Sequence, residues 1–505
     1  MRVPLASGSR LSLVTLPDDA VLLAPPPPLD ALVDVGAAVT EALRYPLAGP
    51  ELLEVAPGGG RATVVVQPPA LPLPSVSDDP RREALAAVLG ALSAAGVATD
   101  RQTVLVAGGL GRRVGRRGLE GLMRRDRARS FRGRVVVHDC EAEDLVRIEL
   151  GGRAHLVHPA LLETDVVVTV GAGETALSGG ASALLAACGP STIRAATASS
   201  LLEPSASAGW RLAGSLEAEL RRRVPLVGLS LVLDRPRLTG RYHGYPWDPA
   251  ARRAVARSPV RRIVNAAPAA LRRWLVGRAP HELGAVAALA GPPSVAHAEA
   301  LVRGSVILGT PLERQLDTIV VPLPHTGLDL PREPLNPITA AALGLGHALR
   351  LWRDRPPLAE GGTVVLLHPF NRVMGHGPQA PYRTLFTALR DGPPRLRAAE
   401  ATAARDRRAI AAYRAGAAPH PRLPFADWDA CATVLERASA VIVGGCRDAG
   451  AARALGLVPS HSPATALAMA RGLSGDDGSL GVLLGPPYPR VVVGGETEEP
   501  QSTPR

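Results

Sequence analysis

The chain has 505 residues, 57 basic against 46 acidic side chains, a formal net charge of +11 and four cysteines. Every basic residue is arginine. No lysine occurs, so no Schiff base, P-loop lysine or lysine-tethered cofactor is available anywhere in the chain.

Arginine is in excess together with alanine, glycine and proline. That is a compositional bias, and it raises the basic charge without calling for a nucleic-acid partner. The length suffices for two or three domains. No run of about 18 residues is free of charged and turn residues, so no membrane span is expected. The first 30 residues lack a compact apolar core followed by a small-residue cleavage site, so no signal peptide is expected. Cys140, Cys188, Cys431 and Cys446 show no C-x-x-C spacing, which argues against a disulfide framework or a zinc site and favours a reducing cytoplasm.

In chain order, "PPPPLD" near the start reads as a stiff spacer. "ATVVVQ", "TVLVAGG", "RVVVHD" and "DVVVTVG" follow, valine-rich runs that each end in a turn or a polar residue. Near-continuous apolar runs of this kind suit parallel strands covered on both faces. Between the first two, Leu85, Val88, Leu89 and Leu92 keep i, i+3, i+4, i+7 spacing. Asp79 suits the cap of that helix, Pro80 its first position and Gly96 its end. Strand, helix, strand makes a βαβ unit and an α/β class.

Residues 265–304 are rich in Ala, Pro and Arg and read as a crossover. "TIVVPLP", "GTVVLLHPF", "SAVIVGG" and "GVLLG" are a second set of strands. Asn336–Pro337 predicts a helix running through Trp352, and Ser462–Pro463 another through Arg471. The expected organisation is two Rossmann-like α/β domains with mainly parallel sheets and a cleft between them. They cover residues 1–270 and 305–487, with a linker at 271–304 and a disordered tail at 488–505.

Several motifs could carry chemistry. "VGAGETA" fits G-x-G-x-x-A after a strand, but the acidic residue expected about 20 positions on is missing; tight strand-to-helix packing is the more frequent reason for such a turn. "GGLGRRVG" is a looser glycine pattern. The arginine-dense stretch 111–134 has Phe131 as its only aromatic residue, so it reads as a solvated face rather than a base-stacking surface. His155 and His158 of "HLVH" diverge on a strand and make no metal motif.

The densest polar set is "LLHPFNRVMGHGPQAPYR". His368, Arg372 and His376 are candidate catalytic residues there, with His325 at the end of the neighbouring strand. Asn336, Tyr382 and Arg383 are candidate substrate contacts. Loops at the carboxyl ends of strands bind ligands in open α/β sheets, and a small anionic metabolite with histidine as acid or base fits the residue types. The alternative is a loop whose histidines make structural hydrogen bonds. His368 and His376 match no standard metal spacing.

The order of these pieces resembles the nickel-pincer lactate racemase family, above all its N-terminal domain, over roughly Val39 to Asp248. "VTEALRYPLAGPELLEVAPGGGRATVVVQ" resembles the family's opening helix, turn and first strand. "LPLPS" stands where the family has T-R-P-x-P-S, and "VLVAGGLGRR" where it has A-T-G-x-H-R. "LSGGASALLAACGPSTI" stands where the family has F-S-G-G-x-K-x-x-x-P-G and then T-I.

The resemblance implies a nickel-bearing nucleotide-derived cofactor between two α/β domains, and hydride transfer at a 2-hydroxy acid. It maps Ser178, Gly179, Gly180, Ser182, Gly109 and Arg112 to the cofactor site. It also places Ser182 where the family's tethering lysine stands, Gly111 at one acid/base histidine, Thr197 at the nickel histidine and Leu71 at the substrate arginine. The second histidine falls in a shortened segment around Gly173 to Ala176. Serine cannot form the lysine linkage, and threonine is a poor ligand for a borderline metal. The expectation is therefore a lactate racemase-like protein that binds a small anion without the tethered chemistry. A racemase holding the cofactor non-covalently and a non-catalytic partner subunit are the alternatives.

Overall fold

The computed structural model describes residues 1–68, 79–115, 119, 121–123, 130–276, 281–326, 333–375, 377–392, 395–475 and 477–494. His376, Leu71 and ten of the 24 residues of the arginine-dense stretch 111–134 lie outside them.

The fold is α/β, built on two mainly parallel sheets. The first has six strands in the order Ala285–Gly291, Leu226–Leu233, Val166–Ala172, Ala62–Val66, Gln102–Val106 and Arg134–Val137. All pairs are parallel except the first. The valine runs behave as a sheet covered on both faces demands. Val64 and Val66 point into one core and Val65 into another, each at most 5% exposed. Helix Pro80–Ala94 covers one face; the Asp79 side chain accepts from Arg81 N, and Leu85, Val88, Leu89 and Leu92 are buried. Gly96 follows its end with φ +88°, a conformation only glycine adopts freely.

The second sheet runs Val458–Ser460, Ala440–Gly444, Leu358–Leu367, Leu316–Pro324, Arg2–Gly8 and Arg10–Thr15, with Leu480–Leu483 and Val21–Leu23 branching from Leu316–Pro324. Ile319, Val321, Val364 and Leu366 face one core, and Val320, Val365 and Leu367 the other. One core is shared between the two halves of the chain, since Ala176, Leu201 and Leu202 pack with the residues of the second sheet.

Four expectations are revised. Residues 2–23 supply strands to the second sheet, not the first. Stretch 265–304 is no bare linker: Ala285–Gly291 pairs antiparallel with Leu226–Leu233, and Pro293–Leu308 is a helix packed on the first sheet. Its alanines and glycines serve close packing rather than chain flexibility. The helix after Asn336 is regular only over Pro337–Ala341. It widens into a π-helix at Ala342–His347, tightens at Ala348–Arg350, and Trp352 opens a strand. Arg490–Val493, placed in the tail, is a strand paired in parallel with Gly309–Leu312 and Trp352–Arg353.

Candidate functional site

The S-G-G turn joins strand Val166–Ala172 to the short helix Gly180–Leu185. Gly179 (φ +96°) and Gly180 (φ +49°) take backbone conformations that suit glycine. The space beside them is filled. A Cβ at either position would collide with the imidazole of His297, which comes from helix Pro293–Leu308.

His297 is fully buried. Its Nε2–H donates to Thr175 O at 3.0 Å, and Nδ1 accepts from Ser230 Oγ at 3.1 Å. It stacks on Trp210, with ring centroids 5.8 Å apart. Burial pushes its pKa down to about 4, so the ring is neutral at pH 7. Gly179 N–H donates to Gln67 Oε1 at 2.6 Å, and Ser182 Oγ–H to Ala176 O at 2.9 Å with the serine 2% exposed. The amide and the hydroxyl expected to face a cofactor are thus engaged within the protein.

Gly109 and Arg112 face the C-terminal half of the chain. Arg112 Nε donates to Gly416 O at 2.6 Å, and Tyr413, buried nearby, donates its hydroxyl to Gly109 O at 3.4 Å. His420 closes the same corner through Glu141 Oε1 at 2.9 Å.

A different constellation forms at the carboxyl edge of the second sheet. Four adjacent parallel strands end there, at Gly8, Pro324, Leu367 and Gly444. They deliver Ser9 and Arg10, then His325, then His368, then Arg447. Helix Ala269–Val276 adds Arg272 and Arg273. Arg272, only 6% exposed, donates Nε to Ser9 Oγ at 2.8 Å and Nη1 to Ala267 O at 2.7 Å. Burial lowers its pKa, and the charges that add to this are all cationic: Arg10, Arg447 and Arg273.

His325, half-buried, is pushed down to about 4 by burial and then by Arg273 and Arg272. His368 is buried and falls to about 3, through burial and then His325. Its Nδ1 accepts the Phe370 N–H at 3.1 Å, which leaves the proton of the neutral ring on Nε2. Phe370 itself sits at φ +47°, a strained conformation for a bulky residue and a mark of constrained, often functional, backbone.

Residues 8–209 match the family model for the lactate racemase N-terminal domain. Over those residues the chain is lactate racemase-like. Among solved structures, the lactate racemase apoprotein from Thermoanaerobacterium thermosaccharolyticum aligns over 98% of this chain and 100% of its own, at 17% identity and a TM-score of 0.60. A Thermotoga maritima protein from a structural genomics programme aligns over 92% and 100%, at 12% identity and a TM-score of 0.48. No curated protein matches the chain.

In this lactate racemase-like chain the expected site residues divide sharply. His325 and His368 come together. Arg372 turns away into an ion pair with Asp448 at 3.0 Å and lies over the Phe386 ring. Asn336 is fully buried: its Oδ1 accepts from Ile338 N and Thr339 N, and its Nδ2 donates to Gln379, so it caps a helix. Tyr382 is buried and donates to Asp427 Oδ2 at 2.7 Å. Neither residue offers a free polar group of the kind a substrate contact needs. Arg383 is exposed on helix Ala380–Asp391.

Sequence reasoning missed Arg10, Arg272, Arg273, Arg447 and His297. Arg447 was findable, because it follows the strand "AVIVG" at its carboxyl end. Arg272 lies on a helix that reads locally as surface, and nothing local marks His297.

Proposed function

We propose that this lactate racemase-like chain binds a small anionic metabolite at the carboxyl edge of its second sheet. The ligand is a 2-hydroxy acid or another compact carboxylate. It sits where helix Ala269–Val276 crosses the strand ends. One observation carries the reading: Arg272 is a nearly buried guanidinium whose charged neighbours among the described residues are other arginines. A buried cation without a carboxylate is costly, and a bound anion relieves it.

In this reading Arg272 and Arg447 hold the carboxylate, and the Nε2–H of His368 orients the hydroxyl or a second oxygen. His325, neutral and half-buried, exchanges a proton with the ligand.

We propose also that the lysine-tethered nickel-pincer chemistry is absent. The residues at the corresponding positions do not fit that group. The chain has no lysine to form the linkage. Ser182 spends its hydroxyl on Ala176 O, and His297 takes the volume beside the two glycines. No step is therefore assigned through that cofactor.

The test has two arms. Titration calorimetry with lactate and related 2-hydroxy acids should detect saturable binding that Arg272→Gln weakens by about tenfold or more, the loss of one charge-assisted contact. Unchanged affinity in that variant would remove the site. Separately, the chain co-expressed with pincer-cofactor biosynthesis should purify without stoichiometric nickel and without lactate racemisation. Both present together would overturn the second part.

A further inference from the structure

A helix in water normally buries its apolar stripe and shows its charges to solvent. Helix Ala269–Val276 does the reverse. Leu271, Trp274 and Leu275 stand at i, i+3, i+4 spacing, which is one face of a helix. They are 48%, 51% and 37% exposed. Among the described side chains of this helix, only Arg272 is buried.

Helix Pro259–Ala266 repeats the inversion. Asn265 points inward and exchanges two hydrogen bonds with the Leu11 backbone, at 2.8 and 3.1 Å. Ile263, two residues back and so on the far side of the helix, is 69% exposed. Both inward faces grip the same turn: Arg272 holds Ser9 and Asn265 holds Leu11. Both outward faces turn away from it.

Charge narrows what can cover them. Residues 249–276, which include helix Pro249–Arg257, contain seven arginines and no acidic residue. Arg253, Arg257, Arg262 and Arg273 are exposed, and among the described residues none of them is in an ion pair. The partner must therefore be anionic and must also receive apolar side chains. A nucleic acid meets only the first demand, because leucine and isoleucine stack on no base. A second copy of the chain meets only the second, because it would set the same arginines against these. A bilayer bearing anionic lipids meets both. Its phosphates accept from the arginines, and the apolar side chains enter the acyl boundary, where tryptophan is favoured.

We propose that residues 249–276 are a peripheral membrane anchor, which lays helices Pro259–Ala266 and Ala269–Val276 on an anionic lipid surface. The contact is interfacial: no helix among the described residues is long and apolar enough to cross a bilayer. It uses the opposite face of helix Ala269–Val276 from Arg272, so it stands apart from the carboxyl-edge site.

The experiment uses the full chain with vesicles of phosphatidylcholine, alone or mixed equally with phosphatidylglycerol. Cosedimentation should show binding to the mixed vesicles that added salt weakens. A basic protein adsorbs to such vesicles by charge alone, so insertion is read separately. Lipids with brominated acyl chains should quench tryptophan fluorescence in the mixed vesicles, and Trp274→Phe should remove that quenching.

Leu271→Ser with Leu275→Ser leaves all seven arginines in place. The pair should weaken vesicle binding by about tenfold or more, and Arg257→Glu with Arg262→Glu by a similar factor. These side chains are exposed, so the melting temperature should hold. Absence of binding to the mixed vesicles overturns the proposal. So does affinity unchanged in the leucine pair, or quenching that persists in Trp274→Phe. A dimer that the leucine pair dissociates would assign the stripe to a second copy instead. Binding of duplex DNA without any of vesicles would assign the arginines to nucleic acid. Either result also overturns the anchor.

Discussion

The imidazole of His297 occupies the space that a side chain at Gly179 would need. The two residues are 118 positions apart in sequence, 179 against 297, yet each explains the other. Gly179→Ala should therefore destabilise the protein by about 3 kcal/mol, combining a left-handed backbone for a non-glycine residue with overpacking against a buried ring. Chemical denaturation checks this; a change below about 1 kcal/mol would mean the ring has room to move.

Ser182→Lys restores, on paper, the side chain that the family resemblance places at this position. The site is 2% exposed and its hydroxyl bonds Ala176 O. We expect loss of about 2–4 kcal/mol from overpacking and a buried charge, read as a lower urea midpoint. A lysine variant as stable as the parent would show that the turn still has a channel to accept one.

Acid should unfold the protein early. His138, His297 and His347 are each pushed by burial from 6.5 to about 4, and His368 to about 3. These rings are neutral when folded, and the unfolded chain binds the protons first. Stability is thus fully present above about pH 6.5 and is lost as pH falls towards 4. Each group contributes up to about 1.4 kcal/mol per pH unit in that window.

His347 offers the cleanest subtraction, because its Nε2 is buried without a partner. His347→Leu should reduce the acid slope by up to one proton. Urea denaturation at three pH values between 5 and 7 measures it. An unchanged slope would mean that His347 binds protons alike in the folded and unfolded chain, so that burial does not depress its pKa.

Thiol labelling of the native chain should be nearly silent. Cys140, Cys188 and Cys431 are buried, and burial raises all three pKa values, to about 12 for Cys140. The thiolate is the reactive form. Only Cys446, partly exposed, should react with maleimide at neutral pH, and slowly, because burial raises its pKa too. Rapid modification of a second cysteine would show local opening.

Much of the strand pattern was legible in the chain. "ATVVVQ", "TVLVAGG" and "GTVVLLHPF" announce buried strands through their unbroken apolar character, and Asp79–Pro80 marks a helix start through capping chemistry. These are local signals with a fixed period. The S-G-G turn was also visible, because its glycines meet a local backbone demand. The absence of lysine, and with it of any lysine tether, needs no fold at all.

What local pattern cannot encode is which distant segments meet. The first residues form a hairpin that joins the second sheet, since an edge strand satisfies its hydrogen bonds on whichever sheet the chain path reaches. Arg10, Arg272 and Arg447 converge because strand ends and one helix share an edge. Asn336 and Tyr382 look like ligand contacts in one dimension, but packing buries both and uses their polar atoms. Only tertiary structure decided that the glycine turn encloses His297, because a cavity's contents are set by long-range packing and not by the residues of the turn itself.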